Sequence, residues 1–193
     1  MPPIPNTPAF WMFTGLLAAT GLMRLGEVVV SARRAQAREG KVVAEPWLFP
    51  LMATLHTGLV FAPLAEVLWL ERAFSPVIGG AAVLLLVLAT ALRVWTLSTI
   101  GIAWNVRVVK PEEATVVTTG PYAWIRHPNY LMVILEIAAL PLVHSAWIAA
   151  IALTALNAFV LWHRIQTEEA MLETLPAWRD AFSNKARFFP GLL

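Results

Sequence analysis

The chain contains no cysteine, and this absence excludes disulfide bonds, thiolate nucleophiles and cysteine-bound metals. Charged residues are also scarce: they make up 13% of the 193 residues, against about 25% in a typical soluble domain. So few charges cannot cover a surface that faces water, and 59% of the residues are hydrophobic. The composition therefore predicts an integral membrane protein, and the length suits a single domain, residues 1–193.

Signatures of several other protein classes are missing. No glycine-rich strand-to-helix fingerprint and no Gly-x-Ser-x-Gly elbow occurs, which argues against a soluble-type nucleotide site and a serine hydrolase. The histidines His56, His144 and His163 lack the spacing of metal ligands. The net charge is only +2, and the basic residues form no nucleic-acid patch. We therefore expect no metal ion and no nucleic-acid partner.

Apolar segments dominate the chain, and five of them approach the roughly 20 residues that a membrane-spanning helix needs. They cover residues 10–30, 47–70, 77–98, 130–143 and 146–162, the last continuing as an amphipathic helix to 175. The fourth segment is short, and a tight connection around His144 and Ser145 joins it to the fifth. We therefore predict an all-α polytopic protein with about five transmembrane helices, the last two forming a helical hairpin.

Basic residues in the loops predict the orientation of these spans. Eleven of the fourteen lysines and arginines fall on one face: Arg33, Arg34, Arg38, Lys41, Arg107, Lys110, Arg126, Arg164, Arg179, Lys185 and Arg187. Only Arg72 falls on the opposite face, while Arg24 and Arg93 lie within spans. Because positive loops stay cytoplasmic, we expect the N-terminus outside and the C-terminus in the cytoplasm, in a bacterial cytoplasmic membrane.

A polar cluster lies just before the fourth segment, in the stretch from Gly120 to Tyr130. Pro128 restricts His127 to an extended conformation and is itself well suited to begin a helix. Arg126 and His127 therefore belong to the turn that feeds this helix, where free backbone N–H groups favour an anion. The alternative is an interfacial belt in which Tyr122, Trp124 and Tyr130 face the lipid headgroups and Arg126 fixes the topology.

A second polar cluster follows the fifth segment. Arg164 lies four residues before Glu168 and seven after Asn157, so the three share one helix face. We expect this face to line a pocket against the fourth helix, with Glu168 or Glu169 binding hydroxyls or an ammonium group. The alternative is a solvated helix end with a surface ion pair of little energetic value. Glu136, inside the fourth span, is expected either to pair with Arg93 or Arg24 or to contact substrate.

These clusters carry a resemblance to a known family. Gly-Pro-Tyr at 120–122, Arg-His-Pro-Asn-Tyr at 126–130, Glu-Glu at 168–169 and Arg-Phe-Phe-Pro-Gly at 187–191 are similar to the isoprenylcysteine carboxyl methyltransferase family and its phospholipid-methyltransferase relatives. The resemblance covers residues 99–193. Asn129, Glu136, Leu140-Pro141-Leu142 and Asn157 look most like the bacterial branch that O-methylates alkylpyrones or alkylresorcinols. The sequence departs from the family pattern in two places. A histidine of the family is missing at residues 112–115, and the segment 175–182 differs from the family's usual sequence after the two acids.

The resemblance implies S-adenosylmethionine as methyl donor and S-adenosylhomocysteine as product. It implies a cofactor pocket formed by Val117, Gly120, Tyr122, Arg126, His127, Pro128, Tyr130, Glu168 and Glu169. It also implies that Arg164, Asn157 and Glu168 lie near the reacting centre. Residues 99–193 then form the cofactor-binding and catalytic half, and residues 1–98 provide three anchoring spans.

The acceptor implied by the resemblance is a lipophilic small molecule that enters from the bilayer, either an isoprenylcysteine-type carboxylate or an alkylpyrone or alkylresorcinol hydroxyl. Membrane lipids are the other expected contact, and the sequence leaves the oligomeric state open. Two alternatives remain at this stage. One is an NADPH-dependent membrane reductase of the sterol-reductase type, although such proteins are longer. The other is a non-catalytic helical membrane subunit.

Overall fold

The computed structural model describes residues 5–37, 47–101, 104 and 116–191, without the side chains of 34–37. These residues form six α-helices and a short 3₁₀ helix at Gly120–Ala123: α1 Pro8–Ala37, α2 Leu48–Trp69, α3 Pro76–Ile100, α4 Pro128–Leu142, α5 Trp147–Leu172 and α6 Pro176–Phe182. The basic residues Arg38, Lys41, Arg107 and Lys110, and the segment 112–115, lie outside the described part.

The prediction of an all-helical fold is confirmed for these residues, but the number of helices that could span a membrane differs from the predicted five. Four helices are long and apolar enough to cross a membrane, namely α1, α2, α3 and α5. The fourth predicted span is the 15-residue α4, which is about 22 Å long at 1.5 Å per residue. A bilayer core is about 30 Å thick. The structure therefore has four helices of spanning length and one shorter apolar helix.

Prolines mark where most of these helices begin. Pro8, Pro76, Pro128 and Pro176 each stand at the first residue of a helix. The ring of proline fixes φ near the helical value, and its missing N–H has no helical partner at that position in any case. The helix predicted over residues 146–162, with an amphipathic continuation to 175, is one unbroken helix in the structure, α5, from Trp147 to Leu172.

The short helix α4 lies inside the bundle. It packs against α3 and α5, while α5 also packs against α2, and α2 against α1. Met132, Ile137 and Leu140 of α4 are 1% exposed or less. The helices differ in how much they bury: 11% of the most apolar window is buried in α1 and 44% in α5. The outer helices therefore leave most of their apolar side chains on the outside of the bundle, whereas α4 is enclosed.

The connection between α4 and α5 is a tight hairpin of four residues, 143–146. Ser145 adopts a left-handed conformation with φ of 59°, and His144 packs among the rings of Phe10, Phe13 and Phe74. A carboxylate from a different helix caps the start of α5, because Glu66 accepts hydrogen bonds from the amides of Ile148 and Ala149 at 3.1 and 2.7 Å.

The C-terminal segment returns to the start of α4. The amide of Arg126 donates to the carbonyl of Ala186 at 2.9 Å, and that of His127 to the carbonyl of Arg187 at 3.1 Å. Tyr122 packs with Leu175, Trp178 and Phe182 around α6. One end of the bundle, called the basic end below, is thus assembled from residues 116–130, the last turns of α5, and residues 175–189.

Candidate active site

The two polar clusters of the sequence meet at the basic end. His127 Nε2 lies 2.9 Å from Glu169 Oε1, although 42 residues separate them. Arg187 Nη2 contacts the other oxygen of Glu169 at 2.6 Å, and Arg126 Nη1 lies 3.6 Å from Oε1. The hydrogen bond to Glu169 and its negative charge raise the pKa of Arg187. Glu169, which is 4% exposed, therefore ties α5 to the turn before α4 and to the C-terminal segment.

Arg126 is oriented by backbone carbonyls of that segment. Its Nε donates to the carbonyl of Lys185 at 2.5 Å, and its Nη2 to that of Ser183 at 3.1 Å. Its guanidinium also lies 5.9 Å from the ring centre of Trp178. Lys185 in turn donates to the carbonyl of Tyr122 at 2.8 Å. The planar fork of Arg126 therefore holds the C-terminal segment against the turn before α4.

Tyr130 connects the second acid of the pair to Arg164. Its hydroxyl donates a short hydrogen bond to Glu168 Oε2 and accepts one from Arg164 Nε at 2.7 Å. The guanidinium lies 5.3 Å from the centre of the Tyr130 ring, and its Nη1 lies 2.7 Å from the sulfur of Met52. The chain from Glu168 through Tyr130 to Arg164 thus runs from the basic end into the bundle.

Tyr122 borders the same region. Burial raises the pKa of its hydroxyl, and the nearby negative charge of Glu168 raises it further. Val117 packs against the cluster that contains Tyr122. Pro128 is buried as the first residue of α4. Gly120 instead faces the end of α3, where an added Cβ would lie 2.5 Å from Thr99 Oγ1.

The start of α4 offers fewer free amides than the sequence predicts. Pro128 has no N–H, and the amides of Tyr130 and Leu131 both donate to the carbonyl of His127. Of the amides in this first turn, that of Asn129 is left to bind an anion. The side-chain oxygen of Asn129 accepts a hydrogen bond from Trp104 Nε1 at 3.3 Å. Side chains rather than helix amides therefore dominate the polar surface of the basic end.

A cavity opens beside Tyr130 and Arg164 and continues between α1, α2, α4 and α5. Its empty volume is about 790 Å³, including the part open to the outside. Most of the wall is apolar, with Val28, Phe49, Leu55, Val133 and Leu161 among the lining side chains. Asn157 also lines it and is 3% exposed. The sequence-predicted pair of Asn157 and Arg164 therefore shares one cavity.

Arg24, Glu27 and His56 also line this cavity, and the sequence analysis did not name them as site residues. Each lies in an apolar segment, where polar side chains usually have a functional or pairing role. That signal is present in the sequence. The sequence does not show how α1 and α2 are rotated about their axes. That rotation decides whether these side chains face lipid or the interior.

Arg24 and Glu27 belong to a four-residue ionic network. Glu27 pairs with Arg24 at 2.7 Å and with Arg93, and Glu136 pairs with Arg24 at 2.5 Å and with Arg93. Glu136 thus pairs with both Arg24 and Arg93, which is the first of the two alternatives that the sequence left open. The network joins α1, α3 and α4, and its charges sum to zero. Removing one partner of such a buried pair typically costs about 3–5 kcal/mol.

Residues 82–174 match the family model described as the isoprenylcysteine carboxyl methyltransferase (ICMT) family. The chain is also 31% identical over 167 residues to the uncharacterized protein YpbQ of Bacillus subtilis, strain 168. This match covers 85% of the present chain and 96% of its relative. The residues matched by the family model include the turn before α4, all of α4 and all of α5.

Proposed function

This chain belongs to the isoprenylcysteine carboxyl methyltransferase family, and from that membership we propose that it is an S-adenosylmethionine-dependent O-methyltransferase acting inside the membrane on a lipophilic acceptor. One observation carries the proposal. A single chain of contacts, from Glu168 through Tyr130 to Arg164, joins the polar basic end to a cavity with mostly apolar walls. Such a continuous path suits a reaction between a charged, water-soluble donor and a membrane-soluble acceptor.

The basic end fits the donor by the chemistry of its side chains. When bound, S-adenosylmethionine supplies a methyl group on a positively charged sulfur. Among the described residues, Glu168 hydrogen-bonds through Oε2, so Oε1 is left to accept from a ribose hydroxyl or an ammonium group. Tyr122 and the stacked rings of His127 and Tyr130, whose centres are 5.2 Å apart, provide aromatic surface. Aromatic faces attract cations by about 0.5–2 kcal/mol.

The remaining predicted cofactor residues support that surface in different ways. Glu169 and Arg126 hold the C-terminal segment in place, and Gly120 allows the 3₁₀ turn to approach α3. Val117 and Pro128 supply apolar packing beneath it. We propose that the C-terminal segment excludes water from the bound donor. The exclusion of water strengthens every charge interaction inside the site.

The cavity is the proposed site of the acceptor. Its apolar wall suits an alkyl or prenyl tail, since burial is worth about 0.8 kcal/mol per methylene group. Arg164 and Asn157 point polar groups into this cavity and are proposed to orient the oxygen that receives the methyl group. Alignment of reacting groups is a large source of catalysis in such transfers. The acceptor is proposed to be an alkylpyrone or alkylresorcinol hydroxyl, or an isoprenylcysteine-type carboxylate.

The proposed orientation follows from the location of the donor. S-adenosylmethionine is a cytoplasmic metabolite, so the basic end is proposed to face the cytoplasm. The clustering of Arg126, Arg179, Lys185 and Arg187 at this end agrees with the positive-inside rule. The opposite end of the bundle, around the α2–α3 connection, then faces the outside.

Donor binding tests the proposal directly. We expect purified protein in detergent to bind S-adenosylhomocysteine, measured by calorimetry, and Glu168→Gln to weaken that binding about 10- to 100-fold. This range corresponds to a lost hydrogen bond to a charged group, about 1.5–3 kcal/mol. Glu173→Gln, an exposed acid further along the chain, is the matched control and is expected to bind normally.

Two outcomes would contradict the proposal. One is binding of NADPH in place of the methyl donor, which would indicate a membrane reductase. The other is unchanged donor affinity in Glu168→Gln, His127→Ala and Arg126→Ala together, since these three side chains come from the two polar clusters that the proposed pocket combines.

A further inference from the structure

Asn129, in the first turn of α4, lines the cavity and is not used by the proposed donor and acceptor contacts. Its side-chain oxygen accepts a hydrogen bond from the indole N–H of Trp104 at 3.3 Å. An indole nitrogen can only donate, so this contact determines which end of the Asn129 amide faces Trp104. The other end, the amide nitrogen Nδ2, is therefore turned away from Trp104 and keeps its two N–H donors.

Trp104 is held by its backbone as well as by its indole. Its backbone N–H donates to the carbonyl of Gly101 at 3.3 Å, directly after the end of α3. Gly101 has a φ of 56°, a positive value that glycine adopts without steric cost. The side chain of Trp104 is 8% exposed and lines the same cavity as Asn129. The indole is therefore a fixed donor that sets the orientation of the Asn129 amide.

The donors of Asn129 lie at the same end of the cavity as Arg164. Among the described residues, none accepts a hydrogen bond from Asn129 Nδ2, so its N–H groups are left for a ligand. Arg164 also lines the cavity and bonds to the hydroxyl of Tyr130, the residue next to Asn129. The start of α4 adds a field that favours negative charge. An amide donor and a guanidinium at one end of an apolar cavity suit an oxygen atom that carries a negative charge.

The charges at this end leave room for an anion beside the bound donor. Glu168 compensates the charge of Arg164, to which it is linked through the hydroxyl of Tyr130. A net positive charge comes with the proposed donor, whose sulfonium and ammonium groups outweigh its one carboxylate. An anionic oxygen in the cavity neutralises that charge, and buried charges are tolerated when they are paired. The donor therefore increases the preference of the cavity for an anion.

We propose that Asn129 Nδ2 and Arg164 bind the ionised oxygen of the acceptor, and that Trp104 is the positioning residue that keeps the amide in this orientation. Neither Asn129 nor Trp104 is among the candidate site residues of the sequence analysis. The identity of this anion as the methyl acceptor rests on the proposed function. The site itself follows from the contacts at this end of the cavity, and it is tested without methyl transfer.

The acceptor loses its proton to water before it binds, and its oxygen enters the site as an anion. A lone pair of this oxygen forms the new O–CH₃ bond, while the electrons of the broken S–CH₃ bond stay on the donor sulfur. The negative charge on oxygen and the positive charge on sulfur disappear together. Asn129 and Arg164 therefore act by binding and aligning the acceptor, because the charge that they hold is lost in the transition state. The neutral product accepts weaker hydrogen bonds, which favours its release.

The first experiment measures binding and needs no turnover. The probe is a nitrophenol with a long alkyl tail, used at a pH where it is fully ionised and followed by the absorbance of the phenolate. Its methyl ether, which has the same tail and no charge, is measured by competition. The ratio of the two affinities is compared between variants, because partition into detergent affects every variant equally. We expect the natural protein to prefer the phenolate about 10- to 100-fold, the range for a hydrogen bond to a charged group.

Asn129→Asp removes the proposed donor and keeps the contact that positions it. The carboxylate still accepts from the Trp104 indole but has no N–H, and an acid suits the first turn of a helix, so the fold is retained. We expect the preference for the phenolate to fall about 10- to 100-fold. Asn6→Asp is the matched control, because Asn6 also accepts from an indole, that of Trp11 at 3.0 Å, in an exposed pair outside the cavity. Its preference is expected to equal that of the natural protein.

Trp104→Phe tests the positioning role without adding a charge. Phenylalanine keeps an aromatic wall but has no N–H, so the Asn129 amide is free to turn. We expect the preference for the phenolate to fall about 3- to 10-fold, as for a lost neutral hydrogen bond, with the affinity for the ether unchanged. A tryptophan that served only to fill space would lower both affinities by the same factor.

The outcomes separate this site from the proposed function. An unchanged preference in both Asn129→Asp and Trp104→Phe would overturn the site, and so would equal losses of phenolate and ether affinity. In either case S-adenosylhomocysteine binding by the natural protein would leave the methyltransferase function intact. If the natural protein binds no S-adenosylhomocysteine but Asn129→Asp still removes the phenolate preference, the anion site stands and the methyltransferase function does not.

Discussion

Gly120 is a residue whose part in the structure follows from its backbone conformation. Its φ is +58°, and a side chain there would meet Thr99 on α3. Glycine adopts positive φ without the penalty of about 1–2 kcal/mol that other residues incur. Gly120 therefore allows the 3₁₀ turn to pack directly against the end of α3, and this places Tyr122 beneath the proposed donor site.

We expect Gly120→Ala to lower the free energy of unfolding by about 2–4 kcal/mol, since the left-handed backbone and the overlap with Thr99 both oppose the new methyl group. Thermal unfolding in detergent measures the change. Gly15→Ala is the matched control: Gly15 is helical, and nothing lies within 4 Å of its added Cβ. An equal melting temperature for both variants would contradict the structure of this turn.

Single residues also show where sequence reasoning stops. The sequence places Arg126 in the turn before a helix start, where an anionic ligand is favoured. In the structure its donors hold the carbonyls of Ser183 and Lys185. A guanidinium binds any well-placed acceptor, and the sequence contains no information about which acceptors the C-terminal segment brings near it.

At the scale of helices, Glu66 explains why α5 begins where it does. The first amides of a helix lack partners within the helix, and α5 has no side-chain cap of its own. Glu66 of α2 supplies two acceptor oxygens to these amides and is itself paired with Arg72 at 2.8 Å. The carboxylate also suits the positive end of the helix dipole. It thereby fixes the position of α5 along α2.

Glu66→Ala is expected to lower the free energy of unfolding by about 2 kcal/mol, because the amides of Ile148 and Ala149 lose their acceptor, and that of Ala149 is buried. Glu173 is exposed and directly follows the last residue of α5. Glu173→Ala should change the free energy of unfolding by less than about 0.5 kcal/mol. Unfolding in increasing sodium dodecyl sulfate, followed by circular dichroism, compares the two. A smaller effect at Glu66 than at Glu173 would rule out its role as a cap.

The boundaries of α4 illustrate a limit of local pattern. An apolar stretch of residues 130–143 is as consistent with a short span as with a helix buried among others. Length alone could not decide, because the surrounding helices determine whether α4 contacts lipid. In the structure it is enclosed by α3 and α5, and Glu136 on it is neutralised by Arg24 and Arg93.

At the scale of the whole molecule, the orientation in the membrane is a separate prediction. The natural absence of cysteine makes it testable with single cysteine substitutions. Ala73, in the α2–α3 connection, and Asp180, in α6, are both exposed and lie at opposite ends of the bundle. If the basic end is cytoplasmic, the first is outside and the second inside.

We expect an impermeant maleimide to label Ala73→Cys in intact cells, and to label Asp180→Cys only after the membrane is permeabilised. The cysteine-free natural protein is the control for background labelling. Labelling of Asp180→Cys in intact cells would reverse the orientation, and would place the proposed donor site away from the cytoplasmic pool of S-adenosylmethionine.

The sequence by itself determined the membrane character, the helical class and the positions of the four long helices. These follow from local hydropathy and from prolines such as Pro76 and Pro128, which act on the residues next to them. It also marked the two polar clusters, because a charge in an apolar segment is costly wherever the helix lies.

Only the tertiary structure decided which side chains meet. The pairing of His127 with Glu169, the return of the C-terminal segment to Arg126, and the cavity that Arg24, His56 and Asn157 share all depend on how helices rotate and tilt against one another. Those angles are set by packing between distant segments. No short stretch of the chain encodes them, so residues from separate helices become one site only when the bundle is complete.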